Sequence, residues 1–145
     1  MQKIENVFKE KVCDLFWYFS SANHSPIKII KHNDMTNIGI SDLQIIRLPK
    51  SVFVEVKYVE GRLPKRGKIL KHHFTAKQIS FLQQVSLIGH IGIGIIGIEE
   101  TNEMYVIPAE LLEQNLTLTE LLQYKKMNYK TMDTACVFLD YIYNL

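Results

Sequence analysis

Two carboxylates and an amine, Asp42, Glu55 and Lys57, sit inside segments whose other residues read as buried β-strand. Residues 38–48 (IGISDLQIIRL) and Val52–Val59 (VFVEVKYV) are rich in β-branched and aromatic side chains, and Pro49-Lys50 between them is turn material. A two-residue turn pairs Leu48 with Ser51, which sets Asp42 opposite Lys57 and Gln44 opposite Glu55. Asp42 and Glu55 are then diagonal neighbours on one face, roughly 7–8 Å apart at the backbone, while Leu43, Ile45, Val54 and Val56 fill the other. A bare carboxylate in such a strand costs several kcal/mol unless something compensates it. Two that converge suit a hard divalent cation such as Mg²⁺, which takes oxygen ligands and keeps several waters. A lysine one pleat further on can hold an attacking water or offset charge on a phosphate. The competing reading is a Glu–Lys pair on the wet face of an edge strand, which fits poorly with Phe53 and Val59 on the same face.

The run Gly39-Ile40-Ser41-Asp42, with Glu55-x-Lys57 starting thirteen positions after Asp42, resembles the PD-(D/E)XK nuclease signature, with Ser41 where the family has proline. The likeness is greatest to the virus-type replication–repair nuclease domains and to the Holliday-junction resolvases of bacteria and archaea, and it spans residues 4–112. It implies Asp42 and Glu55 as metal ligands and Lys57 as the catalytic amine. It also implies a metal-assisting glutamate in the preceding helix and a glutamine opening the following one. The cofactor implied is Mg²⁺, with Mn²⁺ able to replace it.

The preceding helix is visible in its own pattern. Ile4, Val7, Phe8, Val12, Leu15, Phe16 and Phe19 form one stripe at about 100° per residue. Glu5 projects into that stripe between Val12 and Phe16, where it is either the assisting carboxylate or a first-turn residue favoured by the helix dipole. The following helix opens on Thr75-Ala76-Lys77-Gln78, a capping box flanked by Phe74 and Ile79 at the staple positions. Gln78 thus has a full structural explanation as the reciprocal cap, beside the site role that the resemblance implies.

Between the second strand and that helix, Arg62, Lys65, Arg66, Lys68 and Lys71 follow one another with no acid after Glu60, and Gly61, Pro64 and Gly67 argue for a loop. Such a loop beside a carboxylate site suits DNA, because phosphate contacts dominate nucleic-acid affinity; the bland reading is an ordinary solvated loop. Lys77 offers a further contact from the helix. The chain carries only +2 overall, so any positive field must be local.

Other features are excluded or add little. Gly92-Ile93-Gly94-Ile95-Ile96-Gly97 spells G-x-G-x-x-G, but it follows a helix and lies in an apolar run, so it reads as a strand whose glycines allow close packing, not a dinucleotide site. Cys13 and Cys136 fall in apolar helical patterns and read as buried thiols of a reducing compartment. No spacing suits structural zinc, and His72-His73 in the basic loop reads as solvated.

The 145 residues, 47% of them hydrophobic, suit one domain over residues 1–145. No apolar run is long enough for a membrane span, and the start lacks a signal-peptide core. A cytoplasmic location is expected, and the resemblance admits a viral or phage origin. The expected order is helix, strand (residues 27–31), two strands, basic loop, helix, two strands joined by residues 99–103, a helix near Pro108, and a terminal helix over residues 131–145. That is an α/β domain with a mixed central sheet flanked by helices, the restriction-endonuclease-like fold that the resemblance implies. The apolar terminal helix either caps the core or forms a dimer face. The function expected is a metal-dependent endonuclease acting on branched or Holliday-junction DNA as a homodimer. The alternatives are a restriction-type or repair nuclease on duplex or flap DNA, and a non-catalytic DNA-binding subunit.

Overall fold

Strands rich in Val and Ile alternate with helical stripes along the chain, and the computed structural model, which describes residues 2–32, 40–70 and 74–145, turns that alternation into three layers. Helix α1 (Gln2–Asn23) leads to β1 (Lys28–Lys31), β2 (Leu43–Ile46) and β3 (Val52–Val59). Helix α2 (Ala76–Leu87) precedes β4 (Ile91–Ile98) and β5 (Glu103–Pro108), and a 3₁₀ turn (Ala109–Leu111), α3 (Leu118–Leu121), β6 (Lys125–Asn128) and α4 (Ala135–Tyr143) complete the chain. The six strands lie in sequence order. Among the described strands only β3 and β4 run parallel, because a parallel connection needs a long crossover and the basic loop with α2 supplies it.

β3 and β4 are central and covered on both faces, which is why they are almost continuously apolar. One face packs on α1 and α4 through Phe8, Val12, Phe16, Val54, Val56, Phe138 and Ile142. The other packs on α2 and α3 through Val59, Phe74, Leu82, Ile96, Leu118 and Leu121. Gly92 and Gly94 belong to this second face, and both are places of close approach. A β-carbon on Gly92 would lie 2.3 Å from the Leu82 carbonyl oxygen, and one on Gly94 would lie 2.5 Å from the Phe74 ring. The glycine triplet therefore serves packing inside a strand, as its setting in the sequence implied.

Several expectations are corrected. Leu43 pairs with Val54 and Ile45 with Val52, so the β2–β3 connection is longer than two residues and the register sits two residues from the expected one. A shift of two keeps every side chain on its face, where a shift of one would have inverted them all. Ile4 and Val7 are exposed despite their place on the α1 stripe, and so is Cys136, whereas Cys13 is buried. The expected helix at Pro108 is one 3₁₀ turn, and β6 was not foreseen. α4 begins at Ala135 and turns Phe138, Leu139 and Ile142 into the core, leaving Val137 outside. Lys71 and His72-His73 lie outside the described residues.

Candidate active site

β2 begins at Leu43, and the residue before it extends the ladder with its side chain. Asp42 Oδ2 accepts a hydrogen bond from the Val56 amide at 2.8 Å, while its own carbonyl accepts from the His32 amide at 2.8 Å. The carboxylate thus replaces a strand carbonyl and is held to within the tolerance of a backbone bond. Just before it, buried Ser41 donates from its hydroxyl to the Leu43 carbonyl at 3.1 Å, which shapes the entry to the strand. Asp42 precedes the first paired residue, Leu43↔Val54, so it falls beside Glu55 and not opposite Lys57, and the two carboxyls share a hydrogen bond.

Glu55 is only 2% exposed. Its neighbour in β4 is Gly94, and the ring of Phe74 lies over that glycine. The Phe74 ring thereby fills the space that a side chain at position 94 would need. Burial, then the hydrogen bond to Asp42 and the charge of Asp42, push the Glu55 carboxyl up to about 10, against the pull of Lys57 and Lys9. Burial also opposes ionisation of Asp42, but the hydrogen bond from Glu55, the Val56 amide and Lys9 outweigh it and hold that carboxyl below its ordinary value. One proton therefore sits between the two groups, on the Glu55 side.

Lys9 was not anticipated from the sequence. Its Nζ lies 3.1 Å from Asp42 Oδ1, with both side chains mostly buried. The only sequence signal was its position four residues after Glu5, which puts the two on neighbouring parts of α1. Glu5 itself is half-buried. Among the described residues no three His, Cys, Asp or Glu side chains gather into one cluster, so Glu5 stands apart from the Asp42–Glu55 pair. Lys57 is half-buried on the Glu55 face, one pleat along β3 and level with Ile96.

Gln78 is held as the reciprocal cap of α2. Its Oε1 accepts from the Thr75 amide at 2.9 Å, and its amide donates to Thr75 Oγ1 at 3.2 Å. Arg62, Lys65, Arg66 and Lys68 are exposed along the loop, and Lys77 is exposed in the first turn of α2. The mouth of that loop is pinned by acids from elsewhere: Glu99 accepts from the Gly61 amide at 2.8 Å and Glu100 from the Leu63 amide at 2.6 Å.

The donor set fits a hard divalent cation. It consists of two carboxyls brought together at one buried point, with ionisation of Glu55 opposed by burial and by the charge of Asp42. Two protein oxygens suit an ion that keeps most of its water shell.

No protein-family model matches the sequence, and no curated protein matches it. Among solved structures the chain is similar to Hjc, a Holliday junction resolvase from the archaeal hyperthermophile Archaeoglobus fulgidus. The TM-score is 0.59 over 91% of this chain and 95% of that one, at 12% identity, so the likeness is one of fold. Among the described residues no helix is long and apolar enough to cross a membrane. The chain has a restriction-endonuclease-like α/β fold, a mixed six-stranded sheet between helices, in common with that resolvase.

Proposed function

We propose that this chain is a divalent-metal-dependent endonuclease that hydrolyses phosphodiester bonds in branched DNA, with the four-way junction as its substrate. The observation that carries the reading is the buried contact between Asp42 and Glu55, with Lys57 one pleat away, on a fold shared with a Holliday junction resolvase.

In this reading Asp42 and Glu55 hold the metal, and Glu5 assists from α1 through water. A bound Mg²⁺, or Mn²⁺ in its place, would lower the pKa of a coordinated water and offset charge on the scissile phosphate. Lys57 orients the attacking water and adds its own charge to that phosphate. Lys9 and the Val56 amide fix Asp42, so the carboxylate does not have to reorganise when the substrate arrives. The cap uses Gln78 Oε1 and leaves Nε2 to meet a substrate phosphate. Arg62, Lys65, Arg66, Lys68 and Lys77, with Lys71, follow the DNA backbone.

Cleavage of a four-way junction, a flap, a linear duplex and a single strand, each in Mg²⁺, Mn²⁺ and EDTA, tests the proposal. The expected result is junction cutting in either metal and none in EDTA. Equal cutting of duplex or flap would replace junction resolution with a repair or restriction activity. Tight binding with no cutting in any metal would leave a DNA-binding subunit. Changing Arg62, Lys65, Arg66 and Lys68 together to alanine should weaken DNA binding. It should also flatten the salt dependence by roughly 0.9 per lost phosphate contact, and an unchanged slope would place the DNA elsewhere.

Two cuts on strands related by a two-fold axis require two sites, and one chain carries a single Asp42–Glu55–Lys57 set. A symmetric homodimer supplies the match. Sedimentation with and without junction DNA decides, and a strict monomer in both would count against junction resolution.

A further inference from the structure

A second cleft opens on the other face of the sheet, at the end of β3. It has a volume of about 190 Å³ and lies between α1, the β4–β5 turn and the segment after β6. At its floor Tyr58 and Tyr129, both 7% exposed, bring their hydroxyls to 3.2 Å. Two hydroxyls own two protons, and their mutual hydrogen bond uses one. Among the described residues the other proton has no acceptor, and both tyrosines line the cleft.

The donors are fixed in place. Phe8 stacks on Tyr58 with centroids 5.1 Å apart and meets Tyr129 edge-on at 5.3 Å. The Tyr129 amide donates to the Asn102 carbonyl at 2.9 Å, which ties the floor to the β4–β5 turn. Burial, then the Tyr129 hydroxyl, raise the Tyr58 phenol well above its ordinary value, so it keeps its proton and remains a donor. The rim adds Lys11, Lys130 and the Asn102 side chain. The one carboxylate in the lining is Glu99, whose Oε1 already accepts from the Gly61 amide. Ile4 and Val7, the two exposed members of the α1 stripe, form an apolar wall.

We infer that this cleft is a phosphate-binding subsite, with the Tyr58–Tyr129 pair donating at its floor and Lys11 and Lys130 supplying charge at its rim. It is too small for a drug-sized ligand, which needs roughly 300 Å³ or more, but it has room for a tetrahedral oxyanion and water. The link to DNA rests on the nuclease reading above. Through Glu99 the cleft touches the root of the basic loop, so a strand tracking that loop can leave its 5′-terminal phosphate here.

Amide spectra recorded during titration with inorganic phosphate, a 5′-phosphorylated oligonucleotide and its 5′-hydroxyl twin test the inference. Saturable shifts at Asn102 and Lys130 with inorganic phosphate are expected. They should weaken roughly tenfold in the variant Lys11→Met with Lys130→Met, and also in Tyr58→Phe with Tyr129→Phe, while amides elsewhere keep their positions. Tighter binding of the phosphorylated oligonucleotide than of its twin would assign the phosphate to DNA. Equal weak binding of both, with inorganic phosphate still saturating, would support a site for free phosphate and overturn the link to DNA. No saturable shift in the cleft with any probe overturns the subsite itself. These variants leave Asp42, Glu55 and Lys57 untouched, so junction cleavage scores the nuclease reading separately.

Discussion

β3 and β4 lie side by side, eight residues each, paired residue for residue and buried on both faces, yet one carries the candidate chemistry and the other carries none. β3 places a buried carboxyl at Glu55. β4 answers at the same level with Gly94, whose missing side chain admits the Phe74 ring. The letters of β4 spell a nucleotide-binding motif and do packing work; those of β3 spell a short, common charge pattern and bring two carboxyls into contact. A motif therefore has to be judged by the face that its residues occupy and by what lies opposite.

The contrast can be broken first at β3. Asp42→Asn and Glu55→Gln should each lower cleavage by about a thousandfold or more, the scale of several kcal/mol of metal-ion stabilisation. Single-turnover rates in Mg²⁺ measure this, and near wild-type cutting by either variant would remove the metal site from the account. In β4 the corresponding changes should act on stability. Gly92→Ala meets a backbone oxygen that cannot swing aside, so it should cost about 3 kcal/mol, the upper end of the overpacking range. Gly94→Ala presses on the Phe74 ring and Leu112, which can shift, and should cost nearer 1 kcal/mol. Urea denaturation reads both, and a reversed order would mean that the close approach at Leu82 is not rigid.

The last effect is a slope. Glu55 holds its proton in the folded state to about 10, against an ordinary value of 4.5. Between those values the folded protein binds more protons than the unfolded chain, so without metal this group makes stability fall as pH rises through that window. Asp42 acts in the opposite sense: its depressed value contributes stability above 3.8 that is lost as the pH drops through its folded-state value. Glu55→Gln should therefore flatten the metal-free stability profile between mildly acidic and alkaline pH and leave the acid limb in place. Parallel profiles for the two proteins would mean that Glu55 is ionised in the fold.

Much of this was legible in the chain because the decisive signals are local. Val52–Val59 is bounded by turn residues and was read with its observed limits, and Thr75 with Gln78 marked the start of α2 by a reciprocal pair three residues apart. The faces of β2 and β3 survived an error in register because that error was even. What escaped depends on tertiary surroundings. Lys9 reaches Asp42 across 33 residues, and no periodicity announces such a contact. Ile4 and Val7 satisfy the helical stripe but lie at the rim of the cleft, where no described residue buries them. β6, with the sequence Lys-Lys-Met-Asn, has none of the β-branched residues that mark a strand, and it forms because β5 offers an edge to pair with.

That edge has a counterpart on the far side of the sheet. β1 and β6 are the two outer strands, and each carries two exposed lysines, Lys28 and Lys31 on one and Lys125 and Lys126 on the other. Lys31 pairs with Glu10 and Lys126 with Glu103. Another strand adding to either edge would have to bring its backbone beside these ammonium groups, which disfavours the open-ended stacking that leads to fibrils. The exposed lysines therefore guard both edges of the sheet, and the protein should tolerate the high concentrations at which chains with bare apolar edges precipitate.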